Sequence, residues 1–298
     1  MTTVGGAGAR RLDRPSAAAL VAAAAFVPIW LFALALFWWV AQFVVEVPFW
    51  TFPAAYGAVG SLLFVRPLQQ LVVRRLLGAR APTPQEAALL ESCWIDVCLH
   101  SRLRPDRFVL AVADSEEMNA FASSGHLVVV TTGALRSLPD DELRGVLAHE
   151  VGHHLGFYGV ALLTGYWLAL PVHAIASIGF LVGRLAAAAT QRAGAGPLAV
   201  LGDAVGLLLR AVSWAFLAPV LAFQAVGGIV GRSAELRADE RAVQLGFGPE
   251  LAAAMRRSLP SQPTHAERGL AERLFGAHPP MRTRIARVEA LARRTAPR

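Results

Sequence analysis

His149 and His153 stand four positions apart, with Glu150 directly after the first, in Leu147-Ala148-His149-Glu150-Val151-Gly152-His153. Residues i and i+4 of an α-helix share a face, so one ion can lie between the two imidazoles. Neutral imidazoles suit Zn²⁺, and a carboxylate beside the first His can take a proton from a metal-activated water. The chemistry such a pattern would serve is metal-assisted hydrolysis. Ser137-Leu138-Pro139-Asp140-Asp141-Glu142 offers cap-like polar residues and a Pro for a first turn, and Leu143, Val146 and Leu147 follow at helical spacing. Without a third ligand, the same two His residues would be ordinary surface or core side chains.

A catalytic zinc site needs three protein ligands and an open position. Arg232-Ser233-Ala234-Glu235-Leu236-Arg237-Ala238-Asp239 places Glu235 and Asp239 four apart, on one face of a helix. Glu235 would complete the site for one zinc ion per chain. Asp239 would accept a hydrogen bond from a ligand imidazole and so fix its tautomer. Taken alone, that stretch reads as a solvated helix with an acidic face between arginines; the His-Glu-x-x-His segment reverses the weighting. His154, about 100° round the helix from His153, is expected to pack or bond locally.

These residues must be positioned within an apolar chain. Of 298 residues 55% are hydrophobic and only 16% charged, and the mean hydropathy is +0.48. This balance points to a membrane protein with a polar part. The net charge of +7 is not a nucleic-acid signature. Every basic residue is Arg, many flank apolar runs, and no basic-aromatic module is present. Cys93 and Cys98 match no zinc or thioredoxin spacing and read as core thiols in a reducing compartment.

The expected order is a tail over 1–16, a transmembrane hairpin over 17–65, a polar stretch over 66–156, a second hairpin over 157–230 and a polar tail over 231–298. Apolar runs from Ala17 to Val45, Phe49 to Val65, Phe157 to Val182 and about Val205 to Val230 give about four spans of a ~30 Å bilayer. Arg10, Arg11, Arg14, Arg66, Arg74, Arg75 and Arg80 lie on the outer arms of the first hairpin, and the turn between carries no basic residue. The positive-inside rule then makes both termini and the site cytoplasmic. Within the spans, His173 reads as a helix–helix hydrogen-bonding residue, while Asp203 and Arg210 are polar residues of the kind that mark a functional cavity. In the polar stretch, Gln85 to Ser101 reads as a helix with Leu90, Cys93, Trp94 and Val97 inward. Arg107 to Val112 is strand-like, and Ala120 to Ala122 and Leu127 to Thr132 flank a hairpin turn. The fold class is therefore a mainly α integral membrane protein with a zincin-like α+β domain and a small sheet. The His149–His153 helix is expected to run straight into the third span at Phe157. Small residues at Gly156, Gly159, Ala161, Gly165, Ala225, Gly227 and Gly228 would let the spans approach closely.

Four blocks carry a resemblance: Asn119-Ala120-Phe121-Ala122, Leu147 to His153, Glu235-Leu236-Arg237-Ala238-Asp239, and His278-Pro279-Pro280 followed by Arg284-Ile285. In content and order they resemble the membrane-bound zinc metallopeptidases that include the bacterial heat-shock protease HtpX and the CAAX prenyl endopeptidases. Length and span number are closer to the HtpX branch. Gly231 departs from the Ser usual in that family and touches no ligand. The resemblance implies peptide-bond hydrolysis, with zinc on His149, His153 and Glu235 and with Glu150 as the base. It further implies an extended edge strand at Asn119, Ala120, Phe121 and Ala122 for the substrate backbone. His278 and Arg284 would stand near the site, where a donor or cation steadies an oxyanion.

The implied partners are polypeptides, of the misfolded or membrane class, and the bilayer of a bacterial cytoplasmic membrane. Two other readings stay open: a regulatory metallopeptidase cutting one signalling substrate, and a non-catalytic membrane scaffold.

Overall fold

The structure, a computed structural model, describes residues 12–65, 67, 68, 70, 71, 75, 78–123, 127–193, 196–259 and 279–295. It is mostly helical, with one small mixed sheet. The chain forms two compact units, one of 1–19, 61–161 and 227–298 and one of 20–60 and 162–226.

The second unit is apolar helix on apolar helix. Helix α1 (Arg14–Ala41), α2 (Thr51–Ser61), α6 (Tyr158–Ala193) and α7 (Pro197–Gln244) supply it. Ala23, Phe26, Ala33, Val172, Ala176, Phe216, Val220 and Phe223 form its core. The lack of a Cβ at Gly165 leaves room for the Phe223 ring, and Tyr56 Oη donates to the Trp167 carbonyl at 2.6 Å. Among the described residues, α1, α6 and α7 are long and apolar enough to cross a membrane. The apolar helical segment Thr51–Phe64 falls short. At 1.5 Å per residue it covers only about 21 Å of a ~30 Å hydrocarbon layer. Length thus supports three of the four expected spans. His173 is exposed on α6 and makes no hydrogen bond with a described residue, unlike the expected helix–helix contact.

The first unit holds the polar chemistry. Strands β1 (Ala79–Arg80), β2 (Val109–Ala113), β3 (Ala120–Ser123) and β4 (Leu127–Thr131) lie in the order β1-β2-β4-β3. β3 and β4 form the expected antiparallel hairpin, Ala120 opposite Val130, while β2 runs parallel to β4. Alternation sorts the two faces. Val112, Val128 and Val130 join the helical core, whereas Ala111, Leu127 and Val129 form a smaller cluster with Phe121 against it. β1 gave no sequence signal, because two residues are too few for a period.

Helix α3 (Pro84–Ser101) opens on a capping box between Thr83 and Glu86 and buries Leu90, Cys93, Trp94, Val97 and Cys98. Both cysteines are free, and burial pushes the Cys98 thiol up to about 12. A short α4 (Thr132–Ser137) leads into α5 (Asp140–His154). Pro139 is the N-cap of α5 rather than a first-turn residue, and no side chain caps it. Asp140, Asp141 and Glu142 in that turn face the positive end of the helix dipole instead. Glu142 is also forked by Arg257 of α8 (Gly248–Ser258), both contacts at 2.7 Å. Helix α9 (Met281–Thr295) packs Ile285 and Val288 into the same core.

One expected continuity is broken. Helix α5 does not continue into the next span: Leu155–Phe157 break it, and Ser16 Oγ accepts a hydrogen bond from the Phe157 amide. Helix α7 is continuous to Gln244, so the expected helical period after Gly231 belongs to the helix that includes Glu235 and Asp239.

Candidate metal centre

Helix α5 presents His149, Glu150 and His153, and α7 presents Glu235 and Asp239 opposite them. The two helices can approach because residue 152 has no side chain. A Cβ there would lie 2.9 Å from the Cα and carbonyl oxygen of Ala238. On the same face of α5, a Cβ at Gly145 would lie 2.4 Å from the Leu251 amide nitrogen. Backbone contacts at that range leave no room for alanine. Arg241, one and a half turns beyond Glu235, donates to the Gly152 carbonyl and pairs with Asp13 at 2.8 Å.

The result is a group of donor atoms from His149, His153 and Glu235 within 4.8 Å of one another. The two Nε2 atoms are 3.2 Å apart. Glu235 Oε2 is 3.6 Å from His149 Nε2, and Oε1 is 3.3 Å from His153 Nε2. Ligand bonds of about 2.0–2.1 Å in a tetrahedron imply edges of roughly 3.4 Å. The observed spacings fit that requirement, and the donor set of two imidazoles and a carboxylate suits zinc.

Behind the donors lies a buried network. Asp239, fully buried, accepts from His149 Nδ1 at 2.9 Å, which leaves Nε2 for the ion side. Arg284 of α9 is 6% exposed and engages both carboxylates of α7. Its Nε and Nη2 fork Asp239 at 2.9 and 2.7 Å, and its Nη1 reaches Glu235 Oε2 at 2.8 Å. Burial alone would push the His149 pKa down. The Asp239 and Glu235 carboxylates outweigh it, so in the metal-free site the imidazolium is favoured well above its ordinary range.

Every expected residue among those described is accounted for. Glu150 is buried beside the donors and feels the Arg284 charge. His154 packs edge-on against Phe108 at 5.0 Å, the expected local role. β3 is an edge strand of the sheet and packs alongside α5. The Thr131 hydroxyl accepts from the Asn119 amide at 3.0 Å and fixes the strand's entry. His278, His126 and His265 lie outside the described residues. Arg284 stands differently from its expected oxyanion role, since its guanidinium is spent on Asp239 and Glu235. Sequence reasoning missed that clamp, and it also missed Gly145, Gly152 and Arg241. The one available signal was the pair of carboxylates at 235 and 239, which once buried require a cation.

Comparison with known proteins gives the family. The profile of peptidase family M48 matches residues 84–292. The chain belongs to that family. Among curated relatives, Protease HtpX of Shewanella oneidensis is 28% identical over 207 residues, covering 61% of this chain and 67% of its own. The Protease HtpX homolog of Aeropyrum pernix is 32% identical over 182 residues, covering 60% of this chain and 53% of its own. The chain thus spans between about half and two thirds of the length of these relatives. A crystal structure of S. mikatae Ste24p aligns with a TM-score of 0.49 at 19% identity, over 90% of this chain and 63% of that one.

Proposed function

We propose that this chain is a membrane-embedded zinc endopeptidase whose ion is held by His149, His153 and Glu235. The single observation that carries the reading is the near-tetrahedral spacing of those donors, at 3.2, 3.3 and 3.6 Å, with Glu150 next in sequence. When bound, the ion supplies Lewis acidity to a hydrolytic water and to the scissile carbonyl. The chain's own residues do the rest. Glu150 accepts the water's proton as it attacks and returns it to the departing amine. Asp239 holds His149 in the tautomer that offers Nε2, and Arg284 keeps the Glu235 and Asp239 carboxylates in place.

Substrate enters as an extended strand beside β3, at Asn119, Ala120, Phe121 and Ala122. Pairing through backbone groups carries little sequence preference and suits unfolded or damaged membrane proteins. The site and both termini face the cytoplasm of a bacterial cell, on the arginine distribution given above. The intact donor set and Glu150 weigh against a non-catalytic scaffold.

The test is zinc analysis and casein digestion by the detergent-purified protein beside its Glu150→Gln variant. Stoichiometric zinc with hydrolysis lost in the variant is expected. A parent protein that holds no zinc after purification and resupply would overturn the reading. A reporter fused after Arg298 and active only outside the cytoplasm would overturn the topology separately.

A further inference from the structure

The α6–α7 pair carries a second polar feature that hydrolysis does not use. At the hairpin end of the pair, Ser177, Phe180, Arg184 and Arg210 line an open groove of about 410 Å³. The two arginines are brought to one level because α6 and α7 touch there. A Cβ on Gly183 would lie 3.2 Å from the Gly206 carbonyl. Arg210 spends its Nε on that same Gly206 carbonyl, at 3.2 Å. No carboxylate pairs with Arg184 or Arg210 among the described residues. The nearest candidate in sequence, Asp203, instead accepts from Thr190 Oγ1 at 2.8 Å. Two arginines therefore line a groove with no counter-charge from the described residues.

Their height along the helices identifies the occupant. Residues 211–231 of α7, 21 positions, carry no acid or base, and residues 158–183 of α6 carry none but His173. At 1.5 Å per residue the α7 run is about 32 Å, one hydrocarbon thickness. Arg210 and Arg184 thus close the apolar run on both helices, at headgroup level. Trp214, one turn deeper than Arg210, is 56% exposed and stands edge-on to Phe180 at 5.6 Å, an aromatic pair of the kind found at membrane interfaces. A cationic fork above an exposed aromatic–apolar wall matches a ligand with a phosphate at one end and hydrocarbon at the other. Arginine is the side chain suited to such bidentate phosphate contacts.

We propose that Arg184 and Arg210 together hold a phosphate group, that of an acidic phospholipid, in the groove between α6 and α7. The site is independent of the metal centre and of the peptidase reading.

The experiment uses the full chain in detergent, with lipid binding followed by native mass spectrometry and by thermal shift. Phosphatidylglycerol is expected to be retained and to raise the melting temperature, and phosphatidylcholine to do so at least tenfold more weakly. The Arg184→Gln/Arg210→Gln double variant should lose the phosphatidylglycerol effect by tenfold or more. Arg192→Gln, on the same helix but not lining the groove, should keep it. Unchanged phosphatidylglycerol binding by the double variant would overturn the proposal. Protection by inorganic phosphate equal to that by phosphatidylglycerol, lost in the double variant, would overturn the lipid as occupant and leave a site for soluble phosphate.

Discussion

Replacing Arg284 by Met separates two roles for one residue. In the structure its guanidinium makes three charge-assisted contacts at 2.7, 2.8 and 2.9 Å to Asp239 and Glu235, carboxylates with 0% and 9% of their side chains exposed. Removing it leaves two buried carboxylates with the His149 imidazolium as their shared counter-charge, and breaking a buried pair by deleting one partner costs about 3–5 kcal/mol. Solvent screening takes little off that figure here, because all three side chains are buried. For a protein of this size the loss corresponds to a fall on the order of 5–8 °C in the melting temperature of chelator-treated protein. Added zinc should narrow the gap, since its charge replaces part of what Glu235 loses. Turnover should fall roughly 10–100-fold through misplaced Glu235 and Asp239. Arg284→Lys should fall between parent and Met, because an ammonium keeps the charge but not the fork. If Arg284 instead donated to the oxyanion, kcat would fall about 10²–10³-fold with metal-free stability intact. A metal-free melting temperature equal to the parent's, beside a large kcat loss, would refute the clamp.

Glu150→Gln should retain full zinc while losing hydrolysis by roughly 10²–10⁴-fold, whereas Glu235→Ala should lose zinc as well; metal content by mass spectrometry distinguishes them. Gly152→Val should force α5 and α7 apart, since its Cβ would sit 2.9 Å from Ala238 backbone atoms. A cost of about 1–3 kcal/mol or more is expected, with zinc retention and activity lost together; a variant with parental zinc content would show that the helices tolerate the shift. Metal binding should release a proton and strengthen as pH rises through the neutral range, because the carboxylates hold metal-free His149 protonated above its ordinary range. The sign reverses for the metal-free fold. The raised His149 pKa contributes stability fully present below about pH 6.5, lost as pH climbs through the folded value. Parallel melting curves with and without zinc across pH 6–9 would contradict both halves.

Much of the site was legible because its determinants are local. The i, i+4 spacing of His149 and His153 and the period of α3 and of the β3–β4 hairpin each follow from a single element's geometry. The long apolar runs are equally direct, since a bilayer imposes one minimum length on any helix that crosses it. Glu235 and Asp239 were legible as a pair for the same reason, although which ion they served came only by analogy with the first motif.

What tertiary structure alone decided lies between elements. Whether Glu235 meets the two histidines depends on α7 lying against α5, with Gly152 admitting it. The break after His154 depends on a hydroxyl at Ser16, distant in sequence. Arg284 read as an oxyanion donor in sequence because a charged residue's role is set by its partners. Those partners, Asp239 and Glu235, sit on another helix and are buried, and burial obliges a carboxylate to find a cation inside the protein.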